Sequence, residues 1–291
     1  MMIKDIRTKQ AILIGAVVLL VAFLFTRDIK GLVKPKEQTS STPAGGSMSA
    51  QAPATAEINL KEVSTVAKNT INASLAAEIV ALENAYNSAS EADKAAEAKL
   101  LAKKWDDLEQ TVPSALYLEI VASKEPTLNN WLSAGDTFMK AFDNTRDSIL
   151  LPALLQKANF AYTNAVKIDS NSNDAKTGLG ITIVNGMGAP MAGIAMLMDV
   201  VKKDPKNLKA NMSLGTFAMK SGQFDKAITR FQNIIAMKPS PDAYFYLGTA
   251  YENLGKNTEA IEAYEKSKKL AANATLSKFI DDKVNALKNK K

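Results

Sequence analysis

The chain has 291 residues and contains neither cysteine nor histidine. Disulfides, thiolate nucleophiles, Cys/His zinc sites and imidazole acid–base chemistry are therefore all removed. Its net charge of +6 is uneven: residues 1–37 hold seven basic and three acidic side chains, and the remainder holds 29 and 27. The excess positive charge flanks an apolar segment, which points to anionic lipid and away from nucleic acid.

Ala11 to Phe25 is an unbroken apolar run, AILIGAVVLLVAFLF, between Lys9 and Arg27. The span 10–26 has 17 residues, the lower end of what crosses a bilayer as a helix. Thr26-Arg27-Asp28-Ile29-Lys30 follows it, where a cleaved signal peptide needs small residues. Residues 1–36 are therefore expected to form a retained signal anchor with a transmembrane helix at 10–26. With the short N-terminal tail in the cytoplasm, the expectation is a single-pass inner-membrane protein whose remaining chain lies in the periplasm. Residues 37–57 (EQTSSTPAGGSMSAQAPATAE) lack apolar periodicity and read as a flexible linker. Its reach as a coil is about 25 Å.

From Asn59 the composition turns to alanine, leucine, lysine and glutamate. Leu75, Ile79, Leu82 and Tyr86 keep helical spacing, as do Leu100, Leu101, Trp105 and Leu108. The region 58–126 reads as a helical hairpin, 58–88 against 91–110, followed by a short helix after Pro113. Ser90 serves as the expected N-cap of the second helix, with Glu91 and Asp93 in its first turn. Tyr86 and Ala95 give this hairpin a faint likeness to the repeats that follow.

Those repeats are marked by Leu214-Gly215, Ala227, Phe231 and Pro239, and again by Leu247-Gly248, Tyr251, Ala260 and Tyr264. The two Leu-Gly pairs lie 33 residues apart, and Leu179-Gly180 lies 35 residues before the first. A period of this length means stacked helical hairpins. A fainter copy has Trp131, Gly135, Phe138, Ala158, Tyr162 and Ala165, with an insertion around Ala141 to Leu151. Over residues 127–274 the pattern resembles the tetratricopeptide repeat (TPR) family. Against that family's pattern, Ala218 of the third copy stands where an aromatic residue is usual. The resemblance implies an all-α, right-handed α-solenoid of helical hairpins, here behind the single transmembrane helix and linker. Glycine and alanine would permit close helix crossing, and the large residues would fill the gaps between hairpins. Residues 275–291 read as an amphipathic capping helix, with Leu276, Ile280, Val284 and Leu287 on one face.

Little in the chain carries chemistry. It has no G-x-S-x-G, S-x-x-K or Walker phosphate loop. Asn185-Gly186-Met187-Gly188-Ala189-Pro190 has two glycines in G-x-G spacing, but it falls where two helices must turn. Asp106-Asp107 and Asp281-Asp282 sit on lysine-rich helices and read as solvated faces. No catalytic residue, cofactor or metal is expected, and the chain is not read as an enzyme.

The family resemblance implies that first-helix positions line a concave, protein-binding groove. On this sequence these are Lys140; Ile181, Val184 and Asn185; Lys209, Met212, Thr216, Met219 and Lys220; and Phe245, Thr249, Glu252 and Asn253. Methionine adapts its shape to varied partners, although Met212 and Met219 would also suit packing between repeats. The two-lysine, two-asparagine clamp that some members use for acidic C-termini is not reproduced, because Asp136 stands where it needs asparagine. The expected function is a membrane-tethered scaffold or chaperone-like adaptor that holds proteins or peptides, with the membrane engaged through the N-terminal helix and nucleic acid excluded. The alternative is a self-associating, homo-oligomeric envelope protein that uses Tyr86, Trp105, Leu116 and Tyr117 of the 58–126 region, unless those side chains pack inside the hairpin.

Overall fold

The computed structural model describes residues 58–271 and 273–289. The expected membrane helix at 10–26 and linker at 37–57 lie outside the described residues. Among those described, every regular element is a helix, and none is long and apolar enough to cross a membrane. In chain order they are α1 (Leu60–Lys68), α2 (Ala73–Ser88), α3 (Lys94–Asp107), α4 (Thr111–Lys124), α5 (Leu128–Asn144), α6 (Leu150–Ile168) and α7 (Asn173–Gly186). Then come α8 (Pro190–Lys203), α9 (Leu208–Lys220), α10 (Phe224–Met237), α11 (Pro241–Asn253), α12 (Asn257–Leu270) and α13 (Ala274–Lys288). The α5/α6, α7/α8, α9/α10 and α11/α12 pairs pack as successive hairpins, and α13 covers the last.

Helix starts divide into two kinds. Each hairpin's first helix is preceded by a polar residue whose side chain accepts a first-turn N–H: Thr127, Ser172, Asn207 and Ser240. Asn273 does the same for α13. These oxygens satisfy donors that have no partner within the helix. The second helices α6, α8, α10 and α12 begin without a side-chain cap. They follow tight turns, and three of those turns hold a glycine at positive φ: Gly188 (74°), Gly222 (72°) and Gly255 (71°). The Asn185–Pro190 cluster is thus the turn from α7 into α8.

The region before the repeats differs from the sequence expectation. Residues 58–88 form two helices, because the chain breaks after Lys68 and Asn72 caps α2. The closely packed pair is α3 with α4 rather than 58–88 with 91–110. Ser90 does not cap α3: its hydroxyl donates to Asp93 Oδ2 (2.6 Å), and the helix begins at Lys94. Pro113 lies inside the first turn of α4, where its missing N–H has no helical acceptor to lose. Ser114 Oγ donates to the Ala102 carbonyl at 2.9 Å, tying α4 to α3.

The 58–126 region is continuous in packing with the repeats. Ile58, Ala115 and Leu116 share a core with Phe138, Leu154 and Tyr162. Trp105 and Tyr117 are buried with Ile79 and Leu101 in the adjoining core, and Tyr86 packs against it with its ring edge-on to Tyr117 at 5.6 Å. Of the large side chains on which self-association was premised, Trp105, Leu116 and Tyr117 are therefore buried and Tyr86 is partly buried. The insertion around Ala141–Leu151 is mostly absorbed as helix: α5 has 17 residues and α6 has 19, against 13 or 14 in the helices of the later hairpins.

One glycine–ring contact recurs at three of the four hairpin crossings. A Cβ built on Gly215 would lie 2.7 Å from the Phe231 ring, and one on Gly248 would lie 2.8 Å from the Tyr264 ring. Gly135 stands in the same relation to Tyr162 at 2.8 Å, and Gly178 approaches that ring more closely still. Tyr162 is thus held between glycines of two successive hairpins. In α7/α8 Leu197 replaces the aromatic, and Gly180 faces both Leu197 and Gly193. Overpacking such a site costs about 1–3 kcal/mol. Gly178→Ala is expected to lower the unfolding free energy by at least that amount in urea denaturation followed by circular dichroism.

Candidate functional site

The first helices present their exposed sides to one concave face. There α5, α7, α9 and α11, together with Tyr162 of α6, line an open cavity of about 550 Å³. Of the residues anticipated for a groove, Ile181, Asn185, Lys209, Met212, Thr216, Met219, Lys220, Phe245 and Thr249 all line it. Met212 and Met219 are half-buried, packing against the core of the third and fourth hairpins while also facing the cavity. Packing between hairpins thus leaves part of each methionine on the cavity wall.

Four anticipated residues lie elsewhere. Lys140 pairs with Asp106 of α3 at 2.8 Å, because α3/α4 packs beside α5. Glu252 accepts from Tyr264 Oη (2.6 Å) and Lys283 Nζ (2.8 Å), so it fastens the terminal helix. Asn253 donates to the Thr249 carbonyl at 2.8 Å, turned back along its own helix. Val184 lines a different crevice, on the α8 side. The family-based register places these residues on the inner helices, but it does not indicate which are taken up by a neighbouring helix.

The cavity also has walls that sequence reasoning missed. Met139, Phe142 and Asp143 come from the last turns of α5, and Phe217 and Tyr246 complete the apolar lining. Phe142 and Asp143 lie within the insertion, whose helical extension carries them to the rim. That segment reads in sequence only as an interruption of the repeat. Desolvation pushes the Asp143 carboxyl above the usual range, while the Lys220 ammonium pulls it back. Lys220 Nζ also reaches Asn185 Oδ1 at 3.4 Å and lies over the Phe217 ring.

At the other edge a polar strap crosses the face. Asp136 Oδ1 accepts from Tyr162 Oη at 2.7 Å and from Lys209 Nζ at 2.6 Å, linking the first hairpin to the third. Burial, followed by the Asp136 charge and hydrogen bond, pushes the Tyr162 phenol well above its ordinary range. It therefore stays a neutral donor. Lys209 Nζ also sits 5.8 Å from the centre of the Tyr162 ring. The Asp136 position that fails to match an acidic-terminus clamp is here an internal acceptor.

Residues 212–275 match the sequence model of the tetratricopeptide repeat. A crystal structure of a tetratricopeptide repeat protein from Parabacteroides merdae is similar over 79% of this chain and 86% of that one, at 12% identity and a TM-score of 0.56. The crystal structure of a thermophilic TPR protein from Thermus thermophilus is similar over 66% of this chain and 98% of that one, at 15% identity and a TM-score of 0.52. At these identities the likeness is one of fold, and the chain has a TPR-like fold. No curated protein matches the chain in sequence.

The strap separates charge pairing from hydrogen bonding. The Lys209–Asp136 pair is half-exposed on both sides, where an ion pair contributes about 0–1 kcal/mol. Asp136→Ala also removes the acceptor of the buried Tyr162 hydroxyl, a loss of about 1–3 kcal/mol. Thermal denaturation is expected to show Lys209→Ala close to the parent and Asp136→Ala clearly destabilised.

Proposed function

We propose that the chain is a membrane-tethered, protein-binding scaffold that holds a partner segment on the concave face of its repeat stack. The observation that carries this reading is the cavity itself: adaptable and aromatic side chains (Met212, Met219, Phe142, Phe245) between polar edges at Lys209 and Lys220. Three features make it suited to an extended or helical segment. It spans all four hairpins, its apolar floor is half-solvated, and its charged groups sit at the rim. Methionine-rich surfaces repack around different side chains, which suits an adaptor or chaperone-like role with several clients.

The tether belongs to the same proposal. The apolar run Ala11–Phe25 between basic flanks supports a bilayer anchor, and the Ser/Thr/Ala/Pro-rich stretch 37–57 supports a spacer of about 25 Å. Together they confine the binding face to the layer beside an inner membrane, on the periplasmic side. Protease protection on intact and osmotically opened cells checks the sidedness, and digestion of the repeats only after opening is the expected result.

The groove is tested by cross-linking mass spectrometry in native membranes. Cross-links from residues lining the concave cavity to partner proteins are expected. Met219→Asp with Phe245→Asp places two carboxylates on the apolar floor and should reduce partner recovery at least about tenfold, equivalent to about 1.4 kcal/mol. Unchanged recovery in the double variant would sink the proposal.

A further inference from the structure

A second cavity of about 600 Å³ opens between the α7/α8 and α9/α10 hairpins, on the side of their inter-helix turns. Its origin lies in two substitutions within the repeat. At the next junction, between α9/α10 and α11/α12, Tyr251 projects from α11 and packs against the cluster of Ala227, Ile228 and Phe231. Its hydroxyl accepts from Gln232 Nε2 at 3.0 Å, which seals that junction. The Leu-Gly pairs put Ala218 at the position of Tyr251. The glycine contacts of Leu197 and Phe231 put Met198 at the position of Gln232 and Ile194 at that of Ile228. Both the ring and the amide that close one junction are therefore missing from the other. Ile194 and Ala218 line the open crevice, and Met191 and Met198 stand at it 72% and 50% exposed.

The same crevice carries unmatched positive charge. Lys226 and Arg230 lie one helical turn apart on α10, and no carboxylate is among the lining residues. Lys226 Nζ donates to Gln223 Oε1 (2.7 Å), and Arg230 donates to Asn211 Oδ1 (3.0 Å) and the Met198 sulfur (3.7 Å). These partners are all neutral. Asn211 is 2% exposed, and its own amide donates to the Pro205 and Asn207 carbonyls, so Arg230 is held in place by a fixed group. Lys220 stands at the edge shared with the concave cavity, where Asp143 acts on it. The crevice's own cations are thus Lys226 and Arg230.

We infer that this crevice is a second docking site, which takes an aromatic side chain flanked by carboxylates from a segment of another protein. The ring would occupy the place that Tyr251 fills at the neighbouring junction, against Ile194, Ala218 and the two methionines. Aromatic–sulfur contacts favour that lining. The carboxylates would pair with Lys226 and with the guanidinium of Arg230, which suits planar, bidentate recognition. Charge argues against self-occupancy by residues 1–37, which are predominantly basic. The crevice adjoins the concave cavity and shares Asn185, Phe217 and Lys220 with it, so two parts of one partner can be held together.

The test uses the full-length chain in detergent and a fluorescein-labelled peptide, Asp-Glu-Phe-Asp-Glu, followed by anisotropy. Saturable binding is expected, weakened at least tenfold when the peptide's phenylalanine becomes alanine or its acids become amides. Ala218→Tyr with Met198→Gln copies the sealed junction, so it should fold and lose the peptide. Lys226→Glu with Arg230→Glu should also lose it. Met219→Asp with Phe245→Asp, which disables the concave face, should leave the peptide bound; this separates failure of one site from failure of the other. The inference is overturned if the sealed variant, shown folded by its melting curve, still binds the peptide. Equal binding of the amide peptide, equal competition by an eight-residue thymidine oligonucleotide, or no saturable binding would also overturn it.

Discussion

The stack depends on how closely the two helices of each hairpin can cross. Gly215 against Phe231, Gly248 against Tyr264, and Gly135 with Gly178 against Tyr162 all put a ring where a Cβ would otherwise stand. The Gly135, Gly215 and Gly248 contacts lie within a hairpin, whereas Gly178 brings α7 close to Tyr162 of the preceding one. Protein interiors are packed too densely to absorb an extra methyl at such points without movement. Leu197 in place of an aromatic ring makes the α7/α8 crossing a departure from the pattern, and the open crevice lies beside that hairpin.

Polar groups are used sparingly and in places that fix geometry. Asn211 is buried and joins the α8–α9 connection to Arg230. Ser267 Oγ donates to the Pro241 carbonyl at 2.8 Å, locking α12 against the start of α11. Asn159 donates to Thr182 at 2.8 Å between α6 and α7. Each is a buried or half-buried donor with a partner on another element, so it costs little in desolvation and specifies register. The ion pairs are mostly at the surface. Exposed pairs of this kind contribute about 0–1 kcal/mol each.

Much of this architecture was legible in the chain. The third and fourth hairpins follow from the Leu-Gly, alanine and aromatic positions, because those residue types are required wherever two helices cross closely. The region before Thr127 was less legible. Its alanine-rich helices supply apolar faces in several directions, and periodicity does not say which neighbour each face meets. The pairing of α3 with α4, the break at Asn69–Asn72 and the inclusion of Pro113 in a helix are outcomes of that competition. The same limit applied to the groove. Lys140, Glu252 and Asn253 lie on the helices expected of them, but Asp106, Lys283 and the Thr249 carbonyl engage them.

The sequence by itself determined the repeat period, the helical class and the turn at Asn185–Pro190, while the family resemblance supplied the first helices expected along the groove. Local chemistry is enough for these, because spacing, caps and glycine positions act within a single hairpin. Only the tertiary structure decided which lining residues remain available and that the insertion in the first copy becomes cavity wall. It also decided that Ala218 and Met198 act at one junction and together leave it open. Those properties arise between hairpins, where residues far apart in sequence fill or fail to fill the same space.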